Sequence, residues 1–86
     1  MIIRARTDRQ GRLRLSEALA GEHSTISHGG TPVVERLMCM LGLIDGVEIF
    51  IETRGRCGDL IVAADGERFH IPLHHAEHIW VRPRVG

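Results

Sequence analysis

The fold is decided by residues 31–50, which read TPVVERLMCMLGLIDGVEIF. Thr31 is a good N-cap, and Pro32 at the first helical position loses no hydrogen bond by lacking an N–H. Four apolar residues then recur at helical spacing and form one stripe: Val34, Leu37, Met38 and Leu41. Gly42 follows, and glycine readily adopts the left-handed backbone that ends many helices. The pattern predicts a helix from about 31 to 41 with one buried face.

After this helix the apolar residues change to a spacing of two. They alternate with other residues over 47–51, which is typical of a strand with one face in a core. Two further runs, 60–64 and 67–71, flank Asp65-Gly66, a dipeptide that strongly favours a tight hairpin between paired strands. A last alternating run covers 78–82. The second half of the chain is therefore predicted to consist of short antiparallel strands.

The segments before the helix are shorter. Residues 13–19 combine three leucines with a Ser-Glu-Ala turn, which suits a capped helical turn that places leucines under a barrel. Residues 22–27 are polar and could form an edge strand. The sequence thus predicts a mainly β fold, a small barrel of about five strands with one inserted α-helix at about 31–41 and a short N-terminal helical turn.

The charges of the chain balance but are unevenly distributed along it. Its 86 residues suffice for one domain with a single core. Eleven basic and eleven acidic residues give a net charge of zero, so no strong overall field draws the chain to nucleic acid or an anionic membrane. Five arginines fall within residues 1–14, opposed only by Asp8. We therefore distinguish a basic N-terminal arm, 1–12, interpreted as a solvated tail rather than a phosphate-binding arm, from a barrel domain, 13–82.

The sequence also bears on location. A membrane span takes roughly 20 apolar residues, and the longest apolar stretch is broken by Glu35 and Arg36. Residues 1–4 show no apolar signal core with a cleavage site. We therefore predict a cytoplasmic protein without direct membrane insertion. In that reducing compartment Cys39 and Cys57 are expected to stay unpaired.

No recognisable catalytic motif is present. The sequence contains no Gly-x-Ser-x-Gly elbow, no lysine-bearing phosphate loop and no His-Glu-x-x-His, so an enzyme is not expected. Barrels that bind single-stranded nucleic acid need exposed aromatic residues, and this chain has only Phe50, Phe69 and Trp80, so nucleic acid is not an expected partner. Alternation with Ile79 and Val81 places Trp80 on the outer face of the last strand, either as an anchor for a protein contact or beneath the N-terminal arm.

Four of the six histidines fall close together near the C-terminus: His70, His74, His75 and His78. His74 and His78 would meet on one face of a helical turn, a geometry that suits a divalent metal. Neither cysteine lies at a helpful spacing for a closed zinc site, which usually needs four ligands. Three interpretations stay open: surface histidines, adventitious zinc, or a metal site on His74 and His78 with His70 or His75. No cofactor is required, although zinc or Fe(II) could bind.

The helix end is part of a longer motif. Leu37 and Leu41-Gly42-Leu43 are followed by Gly46 and Ile49. This motif resembles the signature of the FeoA family, in which a helix ends in Leu-Gly-Leu or Leu-Gly-Met and a Pro-Gly turn leads into a strand. By spacing alone it is also a helix stop with core leucines.

The resemblance extends over most of the chain. Gly58-Asp59 and residues 66–81 are similar to later motifs of the family, and Leu15-Ser16-Glu17 is similar to its opening. The similarity covers 13–82. The sequence departs from the family pattern at three turn or surface positions: Asp45, Leu60 and Pro72.

The FeoA resemblance implies an SH3-like barrel and an accessory role in bacterial ferrous iron transport. The implied partner is FeoB, a membrane transporter with a cytoplasmic GTPase domain, and the implied mode of action is protein–protein binding. We predict four partner-binding residues: Leu37, Leu41, Gly42 and Trp80. The alternative is a metal-binding sensor module that uses the C-terminal histidines for zinc or iron. A homodimer, with or without a bridging metal, is a further expected form of partnership.

Overall fold

Six strands, two α-helices and one 3₁₀ turn make up residues 6–84, which are the residues that the computed structural model describes. The first five residues of the N-terminal arm, including Arg4, lie outside them. Neither helix of the described part is long and apolar enough to cross a membrane. The elements follow in the order β1 (Leu13–Arg14), the 3₁₀ turn (Leu15–Glu17), β2 (His23–Gly29), α1 (Pro32–Leu41), β3 (Glu48–Arg54), β4 (Leu60–Ala64), β5 (Glu67–Ile71), α2 (Leu73–Ala76) and β6 (Ile79–Pro83).

All six strands pair antiparallel in one sheet, in the order β1-β6-β2-β3-β4-β5. The register shifts between Ile26 and His28 where β2 pairs with β6, and between Ile51 and Thr53 where β3 pairs with β4. An extra residue of this kind bends its strand and increases the local twist. The two irregularities therefore help the sheet to curl around its inner face.

The inner face of the curled sheet carries the core. Alternate residues of a strand point to the same face, and Ile49 and Ile51 of β3 are fully buried together with Val62 of β4 and Val81 of β6. Leu15 of the 3₁₀ turn is also fully buried, and the turn contacts β6. The predicted mainly β architecture and the predicted N-terminal helical turn are confirmed.

Helix α1 begins and ends where the sequence predicts. The hydroxyl of Thr31 accepts a hydrogen bond from the backbone N–H of Val34, at 3.3 Å. Gly42 takes a left-handed backbone with φ of 79°. Beyond it the N–H of Leu43 donates to the carbonyl of Met38, at 2.8 Å. This turn directs Leu43 into the core, where it is buried.

The predicted apolar stripe of α1 is only partly buried. Val34 and Met38 belong to the core, whereas Leu37 is half-buried and Leu41 is 42% exposed. Because the chain turns at Gly42, it is Leu43 rather than Leu41 that enters the core at the helix end. The expectation of a single buried stripe is therefore wrong at Leu41.

Strand β2 lies in the middle of the sheet, between β6 and β3, and not at an edge. Its inward-facing residues are Ser24 and Ile26, both buried. A serine at one of the two inward positions weakens the alternating apolar pattern that identifies a half-buried strand. The structure also adds a sixth strand, the two-residue β1, and the short helix α2.

The N-terminal arm is hydrogen-bonded to the barrel at two points within residues 6–12. The guanidinium of Arg6 donates to both carboxylate oxygens of Glu22, at 2.7 and 3.0 Å. Arg82 of β6 donates through Nε to the backbone carbonyl of Gln10, at 3.4 Å. Residues 6–12 are therefore largely solvated, as interpreted from the sequence, but hydrogen bonds tie them to the barrel. The division of the chain into arm and barrel domain stays a prediction.

Candidate protein-docking site

An apolar surface lies along α1 beside the stripe that faces the core. Val33 and Met40 are 75% and 78% exposed, and Ile44, just beyond the helix, is 53% exposed. Apolar side chains grouped on the surface mark sites of protein interaction. Five apolar residues recur at helical spacing along α1 and continue just past its end. We call them the α1 surface: Val33, Leu37, Met40, Leu41 and Ile44.

Four small cavities open around the α1 surface. One of about 30 Å³ lies between α1 and the segment that includes β5 and α2, where its walls include Leu37, Leu41 and His75. A second, of about 140 Å³, is lined on one side by Leu41 and on the other by Phe69. A third, of about 250 Å³, is lined in part by Ile44, and a fourth, of about 220 Å³, is lined by Val33 with Pro32 and Arg36. All four are smaller than the roughly 300–1,000 Å³ of a usual small-molecule pocket, and the three larger ones have room for a single side chain of a protein partner.

Three of the four predicted partner-binding residues lie together. Leu37 and Leu41 belong to the α1 surface, and Gly42 lines the cavity of about 140 Å³ beside Leu41. Gly42 contributes through its left-handed backbone, which ends the helix and leaves Leu41 exposed. The fourth, Trp80, lies on β6 and lines none of the four cavities.

Trp80 is half-buried on the outer face of the sheet, beneath two arginines. The guanidinium carbon of Arg12 lies 5.0 Å from the centroid of the indole ring, and that of Arg14 lies 5.5 Å from it. Cations at this distance are attracted to the negative face of an aromatic ring. Of the two interpretations of Trp80, the structure therefore favours a position beneath the N-terminal arm, to which Arg12 belongs.

The four C-terminal histidines occupy separate environments. His70 on β5 forms a hydrogen bond of 2.8 Å with Asp59, and this bond holds the pKa of the Asp59 carboxyl below its ordinary value of 3.8. His74 and His75 lie next to each other on α2, with ring centroids 4.2 Å apart. Helix α2 ends at Ala76, so His78 lies beyond the helical turn that would have aligned it with His74.

No three histidine, cysteine, aspartate or glutamate side chains within residues 6–84 are placed to hold a metal ion together. Cys39 and Cys57 are both exposed and unpaired. Metal binding by His74 and His78, with His70 or His75, and a need for zinc or Fe(II), stay predictions.

Sequence reasoning missed Val33, Met40 and Ile44 as members of the candidate site. Val33, Leu37 and Met40 follow the same i, i+4, i+7 spacing as a buried stripe. The signal was therefore a second apolar stripe on one helix, beside the stripe that contains Val34 and Met38. A helix that buries a single face against a small barrel needs only one apolar stripe, so the second stripe is available for another contact.

Several solved structures share this fold. The FeoA protein of Chlorobium tepidum is 28% identical, with 86% of this chain and 72% of that chain covered and a TM-score of 0.76. The IdeR protein of T. acidophilum is 27% identical, with 85% of this chain and 34% of that chain covered and a TM-score of 0.74. The FeoA of Stenotrophomonas maltophilia, a prokaryotic SH3 domain protein solved with zinc, is 22% identical over 78% of this chain and 86% of that chain, with a TM-score of 0.67. The predicted SH3-like fold is confirmed.

The match to a family model covers most of the chain. The model of the FeoA domain matches residues 13–83, from the start of β1 to the end of β6. No curated protein matches the chain in sequence. The matched region includes Leu41-Gly42-Leu43, the helix end on which the resemblance first rested. The chain therefore belongs to the FeoA domain family.

Proposed function

We propose that this chain is a cytoplasmic accessory protein of bacterial ferrous iron transport and that it binds a FeoB-type membrane GTPase transporter through the α1 surface. Membership of the FeoA family supports involvement in ferrous iron transport. The related Stenotrophomonas maltophilia protein has been suggested to act as a bacterial ferrous iron transport activating factor. Protein binding rather than catalysis is the proposed mode of action.

The α1 surface is the observation that carries this proposal. Val33 and Met40 expose about three quarters of their surface to water, although the core of the barrel is already complete without them. Transferring a valine, leucine or methionine side chain from water to a buried position contributes about 1.5–3 kcal/mol. A partner that covers two or three of these side chains could thereby offset the entropic cost of association and bind reversibly.

The charged residues around the α1 surface support a specific contact. Glu35 and Asp45 line the cavity beside Ile44, and Asp65 and Glu67 line the cavity beside Leu41. Arg36 lines the cavity beside Val33. Protein interfaces typically combine an apolar centre with a polar rim. Because four carboxylates and one arginine surround the apolar residues, a partner with a predominantly basic rim is favoured.

The proposal is tested by titrating the folded chain with the cytoplasmic part of the FeoB protein from the same organism. We expect Leu41→Asp and Met40→Asp each to weaken binding at least tenfold, because each places a charge in the apolar contact. Met40 is the safer of the two positions for folding, since it is the more exposed.

Leu19→Asp provides the matched control. Leu19 is 51% exposed but lies in the loop before β2, away from α1 in the chain. The Leu19→Asp variant should bind the FeoB protein with an affinity within about twofold of that of the unsubstituted chain. Equal weakening by Leu19→Asp, or an absence of binding at high micromolar concentration with protein shown to be folded by circular dichroism, would contradict the proposal.

A further inference from the structure

A row of arginines lies on the outer face of the sheet where β1, β6 and β2 meet. Arg14 pairs across the sheet with Trp80, and Arg82 pairs with Thr25. Leu13 and Val81 point into the core, so their sequence neighbours point away from it. We define the basic face as the residues that this alternation and the adjoining turn bring together: Arg9, Arg12, Arg14, Trp80 and Arg82.

The turn that carries Arg9 is held against this face. The Asp8 carboxylate accepts hydrogen bonds from the backbone N–H groups of Gln10 and Arg12, at 2.9 and 2.8 Å. The hydrogen bond from the Arg12 N–H is the largest cause that lowers the pKa of Asp8, and the bond from Gln10 adds to it. The bond from Arg82 to the Gln10 carbonyl then joins the turn to β6. The turn is thus fixed beside β6, and Arg9 at its tip is exposed to solvent.

The basic face is a local excess of positive charge on a chain that is neutral overall. Within residues 6–84, Arg9, Arg14 and Arg82 have no carboxylate oxygen within 4.0 Å, and Arg12 contacts only Asp8, at 3.3 Å. Four arginines and one aspartate leave a net charge of three on this face, although the whole chain has a net charge of zero. The field of this face is therefore much stronger than the net charge of the chain suggests.

The placement of the arginines indicates which kind of anion they fit. Arg9, Arg14 and Arg82 are exposed, and none of the four arginines lines one of the cavities around α1, so they form an open surface rather than a pocket for one small anion. The indole of Trp80 already has the guanidinium groups of Arg12 and Arg14 over it, which leaves little ring surface for stacking on nucleic-acid bases. Guanidinium groups fixed in this way present paired N–H donors that match phosphate oxygens.

We propose that the basic face binds the anionic phospholipid headgroups of a bilayer surface. The arginines contact headgroup phosphates, while Trp80 stays beneath Arg12 and Arg14 and supports their guanidinium groups. No part of the barrel enters the hydrocarbon region. This binding goes beyond the proposed function and needs no transporter, since the basic face and the α1 surface share no residue.

The experiment measures binding of the full chain to protein-free lipid vesicles by sedimentation. The vesicles contain either phosphatidylcholine alone or equal parts of phosphatidylcholine and phosphatidylglycerol. The test variant is Arg14→Gln with Arg82→Gln, and the matched control is Arg36→Gln with Arg56→Gln. Both double variants change the net charge from zero to minus two, and Arg36 and Arg56 are exposed arginines on α1 and in the β3–β4 turn.

We expect binding to the phosphatidylglycerol vesicles that weakens as the salt concentration rises from about 20 to 500 mM, since screening shortens the range of the attraction. Each lost arginine should weaken binding about fivefold, from about 1 kcal/mol per cation near an anionic surface. The test variant should therefore bind roughly 30-fold more weakly, and the control less than threefold more weakly.

Four outcomes would overturn the proposal. The first is that both double variants bind the anionic vesicles equally weakly, and the second is that the chain binds vesicles of phosphatidylcholine alone equally strongly. The third is that the chain binds poly-glutamate or single-stranded DNA more tightly than the anionic vesicles. The fourth is that the chain does not bind the anionic vesicles at low salt. Circular dichroism and thermal unfolding of each variant accompany the measurement, so that only folded protein is compared.

Discussion

Gly42 determines what happens at the end of α1 through its backbone alone. Its φ of 79° lies in the left-handed region, and a Cβ atom built there would meet nothing within 4 Å. The residue is therefore needed for conformation and not for close packing. This single turn separates the exposed Leu41 from the buried Leu43, so it positions both the candidate docking site and part of the core.

Gly42→Ala should lower the free energy of unfolding by about 1 kcal/mol, because alanine pays the left-handed conformational penalty and gains no contact. Urea unfolding measures the change. Gly42→Asn serves as the comparison, since asparagine tolerates the left-handed region better and should lose less. An alanine variant as stable as the unsubstituted chain would show that the helix ends here for another reason.

At the scale of the elements, the ends of α1 could be predicted because capping is local. Thr31 and Gly42 act on backbone groups within four residues of themselves. The exposure of Leu41 could not be predicted in the same way, because it depends on where the chain goes after Gly42. The central position of β2 was missed for a similar reason, since only contacts with β6 and β3, distant in sequence, decide it.

The link between Arg6 and the segment before β2 gives a pH-dependent prediction. The hydrogen bond from Arg6 is the main cause that lowers the pKa of Glu22 below its ordinary value of 4.5. A carboxyl whose pKa is lower in the folded state stabilises the fold above its unfolded pKa, and this contribution is lost as the pH falls through the folded value.

Glu22→Gln should therefore lower the free energy of unfolding at pH 7, and the difference should disappear in acid below the lowered pKa. The expected loss is about 1 kcal/mol or less, since the side chains of Arg6 and Glu22 are 45% and 27% exposed and solvent screens the pair. Urea unfolding at pH 7 and at an acidic pH below the lowered pKa measures this loss of free energy. Glu67→Gln is the control, because Glu67 makes no ion pair within the described residues, and an equal pH-dependent loss there would contradict the assignment.

At the scale of the whole molecule, the apolar and charged residues are sorted onto different surfaces. The chain has a neutral net charge and an ordinary apolar content, yet it combines an exposed apolar helix face with a basic sheet face. Composition averages over both, so neither surface could be predicted from it. The order of the strands around the barrel, with β1 beside β6, assembles the basic face from arginines nearly seventy residues apart.

The metal-sensor alternative makes a prediction of its own. If His74 and His78 ligate zinc, the double substitution His74→Ala with His78→Ala should weaken Zn²⁺ binding about tenfold or more, because both imidazole ligands are lost. An unchanged affinity would rule this site out. Isothermal titration calorimetry measures the affinity. A loss of tenfold or more would show that these two histidines share a bound ion and would favour the sensor alternative.

The pairing of β1 with β6 brings the two ends of the barrel together. Gln10, where the chain approaches the barrel, is hydrogen-bonded to Arg82, where the chain is about to leave it. A domain whose entry and exit points are neighbours can be inserted into a loop of a host protein without pulling the host apart. The same closeness makes this barrel a good subject for circular permutation, with a linker that joins the chain near Gln10 to the chain near Arg82 and with new ends opened in an exposed turn.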